Sequence, residues 1–156
     1  MTARDRTRLS PAEAQFLEAF LGAAAAVGRR ISADLGQRNS ITLSDYQALR
    51  QLAGAPDGRL RLQDLGHARS LSPSRISRVI DSFEQRGLIK RERSMDDRRG
   101  WYAIVTPAGR DLLERCEQTY AWSVHRHVLN ALDPDTIRII TAAADRLRSG
   151  PVVLPG

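Results

Sequence analysis

Apolar residues recur along most of the chain at steps of three and four, the spacing of amphipathic helices. Several of these stretches begin with Ser-Pro, Thr-Pro or Asp-Pro, which pairs an N-cap with a first-turn proline. The pattern predicts helices from Ser10-Pro11 to about Arg38, from Ser44 to near Gly54, over residues 63–68, from Ser72-Pro73 to about Arg86, from Thr106-Pro107 to about Leu132, and from Asp133-Pro134 to Gly150. The chain is therefore predicted to be mainly α-helical.

A small β-structure interrupts the helices. Residues 88–94 and 101–106 suit strands, and the polar segment 95–100 between them contains a glycine, which predicts a β-hairpin with a charged tip. Leu60 and Leu62 alternate with Arg61 as in a brief strand. The order of short helix, turn, second helix and hairpin is that of a winged helix-turn-helix lobe, in which the hairpin is the wing.

The helix that begins at Ser72-Pro73 has two different faces. Its apolar stripe of Ile76, Val79, Ile80 and Phe83 should pack on the core. A major groove is wide enough for such a helix, and the residues at its N-terminal end reach the base edges. The predicted DNA contacts on this helix are Ser72, Ser74, Arg75, Ser77 and Arg78. An ordinary amphipathic surface helix with solvated arginines is the alternative that this helix alone leaves open.

The charge distribution favours the nucleic-acid interpretation. The 156 residues contain 24 Lys+Arg and 18 Asp+Glu, a formal net charge of +6. From Arg69 to Arg99 the chain has nine basic and five acidic residues. A net charge of +4 therefore falls on the helix that begins at Ser72-Pro73, the predicted recognition helix, and on the wing. These are the two elements that a winged helix presents to DNA.

Composition also excludes several classes of protein. A hydrophobic content of 42% argues against wholesale disorder, and one cysteine cannot form an internal disulfide. The longest apolar run, around Ala23–Val27, is far shorter than the ~20 residues that span a bilayer. We therefore expect a cytoplasmic protein without a membrane partner.

Three segments of the sequence resemble the MarR family of transcription regulators. They are Leu62 to Ile80, Gln85-Arg-Gly-Leu-Ile-Lys-Arg91, and Asp97-Arg-Arg-Gly-Trp-Tyr-Ala-Ile-Val-Thr-Pro-Ala-Gly-Arg110, in which Val105 stands where the family more often has leucine. The resemblance covers roughly residues 10–149. It implies a homodimer that binds double-stranded DNA at an inverted-repeat operator, most simply as a repressor that responds to a small-molecule effector.

The resemblance and the apolar pattern suggest the same division of the chain. The helices within 10–40 and 107–149 carry more apolar surface than one small winged domain can cover, so these ranges are predicted to form a helical dimerisation region. Residues 41–106 would form the winged lobe. We expect a disordered N-terminus at 1–9 and a tail at 150–156.

The resemblance also assigns roles in the wing. Arg99, and with it Arg98, would enter the minor groove or contact phosphate. Asp97 would support the wing by pairing with an arginine, although turn chemistry explains an aspartate there equally well.

An effector pocket in such a dimer would lie where the long helices meet the winged lobe. The candidates by phase and position are Phe20, Tyr46, His67, Tyr120 and Trp122. Core packing is the competing explanation for each of them.

Two alternative functions remain open from the sequence. Cys116 could make the protein a redox-responsive regulator, although its phase with Leu112 and Leu113 is that of a core residue. A basic helical module for protein interaction would explain the charge but not the arginine-tipped wing.

The sequence does not suggest an enzyme, a metal site or a cofactor. The sequence contains no Ser-His-Asp order typical of a catalytic triad, no glycine-rich loop that would hold a phosphate, and no HExxH motif. His125 and His127 lie ~200° apart on a helix, so they cannot share one metal ion.

Overall fold

The computed structural model describes residues 8–67, 73–94 and 100–149. Within these residues the chain forms six α-helices and three short strands. The helices are α1 Pro11–Asn39, α2 Leu43–Ala53, α3 Leu62–His67, α4 Pro73–Gln85, α5 Pro107–His127 and α6 Pro134–Ser149, and the strands are β1 Arg59–Arg61, β2 Ile89–Arg93 and β3 Trp101–Val105. The predicted fold class, mainly α with a small β-wing, is confirmed.

The strands form one antiparallel sheet in the order β1-β3-β2. In the predicted hairpin Ile89 lies opposite Val105, and Arg93 lies opposite Trp101. The sequence pattern indicated a two-stranded wing and a separate short strand, whereas β1 pairs with β3 through Arg59 opposite Ile104. The brief strand predicted around Leu60 and Leu62 is therefore present as β1, but its pairing with β3, about 40 residues further along the chain, leaves no local signal and was found only in the structure.

The start of α2 differs from the predicted one. The sequence pattern places the N-cap at Ser44, but Thr42 occupies that position and accepts a hydrogen bond from the backbone N–H of Asp45. The Asp45 carboxylate accepts in turn from the backbone N–H of Thr42, which completes a capping box. At α1 the predicted cap is confirmed, since Ser10 and Glu13 form the same arrangement.

The end of α5 also differs. The helix ends at His127 rather than at about Leu132, because Val128 has φ −128° and ψ −65°, outside the helical region. A 3-10 turn over Leu129–Ala131 follows, and Asp133 then caps α6 by accepting from the backbone N–H of Thr136. Apolar spacing continues through this break, so periodicity could not locate it.

One hydrophobic core joins the C-terminal half of α1 to α2, α4, α5 and the sheet. Its most buried side chains are Leu35, Tyr46, Leu49, Leu52, Ile80, Phe83 and Cys116. The N-terminal half of α1 and all of α6 contribute no buried residue. None of the helices in the described ranges is long and apolar enough to cross a membrane.

Candidate nucleic-acid interface

The two faces of α4 are those that the spacing predicts. Ile76, Val79, Ile80 and Phe83 are all buried in the core, the last two at 1% exposure. On the other side, the first two turns present exposed polar and cationic side chains: Ser74, Arg75, Ser77 and Arg78. The helix therefore offers a polar surface with two arginines at its N-terminal end, where partial positive charge from the helix dipole is also concentrated.

The C-terminal end of α4 is fixed by a Schellman motif. Gly87 has φ +69°, the left-handed conformation that favours glycine. The N–H of Leu88 donates to the Phe83 carbonyl at 2.9 Å, and the N–H of Gly87 donates to the Glu84 carbonyl at 2.9 Å. Phe83 and Leu88 are both buried, so the turn directs the chain from the recognition helix into β2 at a defined angle.

The turn after α4 packs directly on the start of α5. The Thr106 hydroxyl donates to the Gly87 carbonyl at 2.7 Å and accepts from the Gly109 N–H at 3.1 Å. The Thr106 N–H donates to the Leu88 carbonyl at 3.0 Å. A Cβ added at Gly109 would lie 2.2 Å from that same carbonyl oxygen. The Thr-Pro-Ala-Gly segment therefore fixes the two ends of the wing on each other, a packing role that the sequence pattern did not reveal.

At the other end of α4, Arg75 is connected to the start of α2. Its guanidinium donates to the Ser44 hydroxyl at 2.9 Å. A shallow cavity of about 220 Å³ lies between the two helices, and Asp45, Arg75 and Arg78 are among its lining residues. Ser44 was not among the predicted functional residues, and its contact with Arg75 is a tertiary one that sequence spacing cannot show.

Arg91 connects the wing to the recognition helix. It projects from β2 and forms an ion pair with Asp81 of α4, and its Nε lies 3.3 Å from the Glu84 carboxylate. From the sequence this arginine was only one of the nine basic residues between Arg69 and Arg99. The structure shows that its charge is directed at two carboxylates of α4.

The outer face of the sheet carries a second group of paired charges. Arg59 of β1 forms an ion pair with Glu92 of β2 at 2.8 Å and stacks over the ring of Tyr102, 4.1 Å from its centroid. The Arg61 Nε donates to the Tyr102 hydroxyl at 3.1 Å. Tyr102 therefore packs within the sheet, whereas Trp101 near the wing tip remains 41% exposed.

Four predicted interface residues lie outside the described residues. They are Ser72 before α4 and Asp97, Arg98 and Arg99 at the wing tip. Their roles stay predictions.

The structure of one chain brings two of the predicted effector residues into contact, and the pocket itself stays a prediction. Tyr46 and Tyr120 are in contact, with ring centroids 5.2 Å apart, and burial raises the pKa of Tyr46. Phe20 instead stacks on Phe16 along the exposed part of α1. Trp122 has two guanidinium groups beside its ring, with the Cζ of Arg38 3.9 Å and the Cζ of Arg126 5.1 Å from the ring centroid. Tyr120 and Trp122 are two residues apart on α5 and therefore point to different sides of it. The side chain of His67 is not among those described.

Cys116 does not have the surroundings of a reactive thiol. Its side chain is fully buried, and this burial raises its pKa. Since the thiolate is the reactive form, both properties oppose oxidation. The structure therefore disfavours the redox alternative.

A partly buried polar contact joins α1 to α5. The Asp34 carboxylate accepts hydrogen bonds from the Ser123 hydroxyl at 2.6 Å and from His127 Nε2 at 2.9 Å. The carboxylate stands between the hydroxyl and the imidazole, so the three residues do not form the Ser-His-Asp relay of a hydrolase. In the described ranges no three His, Cys, Asp or Glu side chains are grouped as metal ligands.

Comparison with known proteins finds similar transcriptional regulators. Residues 39–100 match the model of the MarR family. An uncharacterised HTH-type transcriptional regulator of Bacillus subtilis (strain 168), YkoM, is 31% identical over 78 residues, so the match spans half of this chain and half of that relative.

Solved structures extend the likeness to nearly the whole chain. AbsC of Streptomyces coelicolor, a MarR-family transcriptional regulator, is 29% identical over 90% of this chain and 97% of its own, with a TM-score of 0.80. Sco3205 of the same organism, a MarR-family regulator solved in complex with DNA, shares the fold at 24% identity with a TM-score of 0.84, over 96% of this chain and 95% of its own. The family match over residues 39–100, which include the helix-turn-helix and the first strand of the wing, together with the shared fold, makes the chain similar to MarR-family transcriptional regulators.

Proposed function

We propose that this protein is a sequence-specific DNA-binding transcription regulator that acts as a homodimer on an inverted-repeat operator. The observation that carries the proposal is the geometry of α4. Its apolar stripe is buried, and its exposed N-terminal turns present Arg75 and Arg78 beside two serines. An arginine so placed can form paired hydrogen bonds with guanine in the major groove.

Each residue of the interface has a proposed role. Arg78, in the second turn of α4, would read a base, and Ser74 and Ser77 are short enough to let the helix approach the backbone. Arg75, held against the start of α2 by Ser44, would contact phosphate there. Ser72 at the start of α4 would bind phosphate, Arg98 and Arg99 would contact the minor groove or phosphate, and Asp97 would brace the wing.

The similar fold of Sco3205, which was solved with DNA, supports this placement.

Uncovered apolar surface supports the homodimer. Large hydrophobic side chains are exposed on two helices, α1 and α6, and on the residues that lead into α1: Leu9, Phe16, Leu17, Phe20, Leu21, Ile139, Ile140 and Leu147. Exposed apolar surface of this extent is typical of an interface. A second copy of the chain would cover it through the proposed dimerisation region, residues 10–40 and 107–149. A two-fold axis would then place two recognition helices about one DNA turn, ~34 Å, apart.

Repression with release by an effector completes the proposal. A dimer bound at a promoter would exclude polymerase, and an effector would release it by changing the separation of the two recognition helices. A cavity of about 330 Å³ between α2 and α5, lined in part by Arg50, Arg110, Glu114 and Glu117, lies where the winged lobe (residues 41–106) meets a long helix. This junction is where an effector could act on both parts of the chain.

DNA binding is tested with a duplex that the wild-type protein selects from a random-sequence pool. Arg78→Ala should weaken binding about 10- to 100-fold and relax the preference at one base, since a bidentate pair discriminates by about 1–3 kcal/mol. Arg99→Ala should weaken binding evenly across sequences. Arg115→Ala, which removes the same charge from an exposed position of α5, is the matched control and should bind as the wild type does.

Three results would count against the proposal. If Arg78→Ala and Arg99→Ala both bind the selected duplex as tightly as wild type, the assignment of roles is wrong. If the wild-type protein selects no sequence and its binding to duplex DNA is insensitive to salt, the protein is not a DNA-binding regulator. A mass of 17.3 kDa at all concentrations in light scattering, rather than twice that value, contradicts the homodimer.

A further inference from the structure

Arg91 is held between the wing and the recognition helix. It lies on the face of β2 that packs on α4, and its side chain is 27% exposed. The guanidinium forms an ion pair with Asp81, and its Nε is 3.3 Å from Glu84 Oε2. Its neighbours in the strand, Lys90 and Glu92, are exposed. Arg91 is therefore the cation of β2 that is directed at the helix.

The two carboxylates stand on the part of α4 that the proposed function turns towards DNA. Asp81 follows Arg78 by three residues and precedes Gln85 by four, so the three side chains form one row along the helix. The side chains of Asp81 and Glu84 are 53% and 44% exposed. Without a cation beside them, two negative charges in this position would repel the DNA phosphates.

We propose that Arg91 is a positioning residue for DNA binding, which acts by offsetting part of the negative charge of Asp81 and Glu84 on the recognition helix. The inference rests on the proposed function, since it assigns the wing strand a part in that same interface. One guanidinium leaves the group of three with a single negative charge instead of two. It also draws the Asp81 carboxylate towards β2. The wing thus contributes to binding through its effect on α4 and not only through its tip.

Partial charge neutralisation makes a prediction that direct contact does not. Arg91→Met keeps an unbranched apolar side chain about as long as the aliphatic part of arginine and removes the charge, so both carboxylates lose their cation. In the wild-type background this should raise the Kd for the selected duplex about tenfold at low salt. In a background that carries Asp81→Asn and Glu84→Gln, the same substitution should change the Kd by less than about twofold, because no carboxylate remains there to repel the phosphates.

The matched control is Lys90→Met on the same strand. It removes one exposed positive charge but leaves the pairing of Asp81 and Glu84 with Arg91 intact, so it should raise the Kd by no more than about threefold. All variants are compared by fluorescence anisotropy with the duplex that the wild-type protein selects, and thermal unfolding confirms that each is folded. Arg91→Met should therefore raise the Kd clearly more than Lys90→Met does.

The outcomes separate this inference from the proposed function. If Arg91→Met raises the Kd equally in both backgrounds, Arg91 contacts DNA itself or merely holds the wing, and the inference is overturned while the function stands. The same conclusion follows if Arg91→Met and Lys90→Met weaken binding equally. If the wild-type protein binds no duplex, the proposed function fails and the inference fails with it.

Discussion

Replacing Gly109 by alanine would test how closely α5 packs on the turn that follows α4. Gly109 lies in the first turn of α5, where alanine would ordinarily be the better residue. An ideal Cβ at this position would lie 2.2 Å from the Leu88 carbonyl oxygen and 2.8 Å from Val105 Cγ2. The first of these atoms belongs to the backbone, so it cannot move aside as the end of a side chain can.

The magnitude follows from two opposing effects. Alanine in place of a helical glycine stabilises by roughly 0.5–1 kcal/mol. Inserting a methyl group into a packed site costs about 1–3 kcal/mol. Here the cost should lie in the upper part of that range, because the Leu88 carbonyl also accepts the Thr106 N–H at 3.0 Å and would have to give up that geometry. We expect Gly109→Ala to destabilise the protein by about 1–2 kcal/mol.

Gly36→Ala is the matched control. Gly36 is exposed in α1, and a Cβ there would meet nothing within 4 Å, so the same substitution should stabilise by about 0.5–1 kcal/mol. Both variants are measured by urea unfolding with far-UV circular dichroism at one protein concentration, because unfolding of a dimer depends on concentration. If Gly109→Ala is as stable as Gly36→Ala, the close packing at Leu88 is refuted.

Three further predictions concern other parts of the fold. Cys116 should react with a thiol reagent only slowly in the folded protein and quickly in urea, because burial raises its pKa; rapid labelling of the folded form would contradict this. The Ser123 hydroxyl is the main cause that lowers the pKa of Asp34 below its ordinary value of 3.8. The resulting stability is present above that value and is lost as the pH falls through the lower pKa of the folded state. Ser123→Ala should therefore weaken the dependence of stability on pH between about pH 2 and 5, as followed by urea unfolding, and an unchanged profile would exclude this contact as its source. Thr42→Ala should destabilise by about 1 kcal/mol as the loss of an N-cap, clearly more than Ser44→Ala in the same unfolding assay, whereas equal losses would mean that Thr42 is not the functional cap.

Local patterns predicted much of the recognition helix. The spacing of Ile76, Val79, Ile80 and Phe83 indicated which face is buried, and Gly87 marked the end of the helix. These features depend on residues within about one turn of each other, so they are written directly in the sequence. The same reasoning placed the long helices and the two strands of the hairpin within a few residues of their observed bounds, except at the end of α5.

Periodicity was less informative about what each side chain contacts. Phase and position made Phe20, Tyr46, Tyr120 and Trp122 candidates for one pocket, and of these four the two tyrosines are in ring contact. A helical phase gives the direction of a side chain relative to its own helix but not the element that packs against it. A pocket built by two or more helices is therefore not determined by the phase of each one.

The sequence by itself determined the order of the elements, the buried stripe of α4 and the concentration of positive charge around it. Only the tertiary structure decided how those charges are used: Arg75 reaches Ser44, 31 residues away, and Arg91 turns from the surface towards Asp81. The physical reason is range. Helix caps and amphipathic spacing act between neighbours along the chain, whereas an ion pair between a strand and a helix exists only once the core has brought the two elements together.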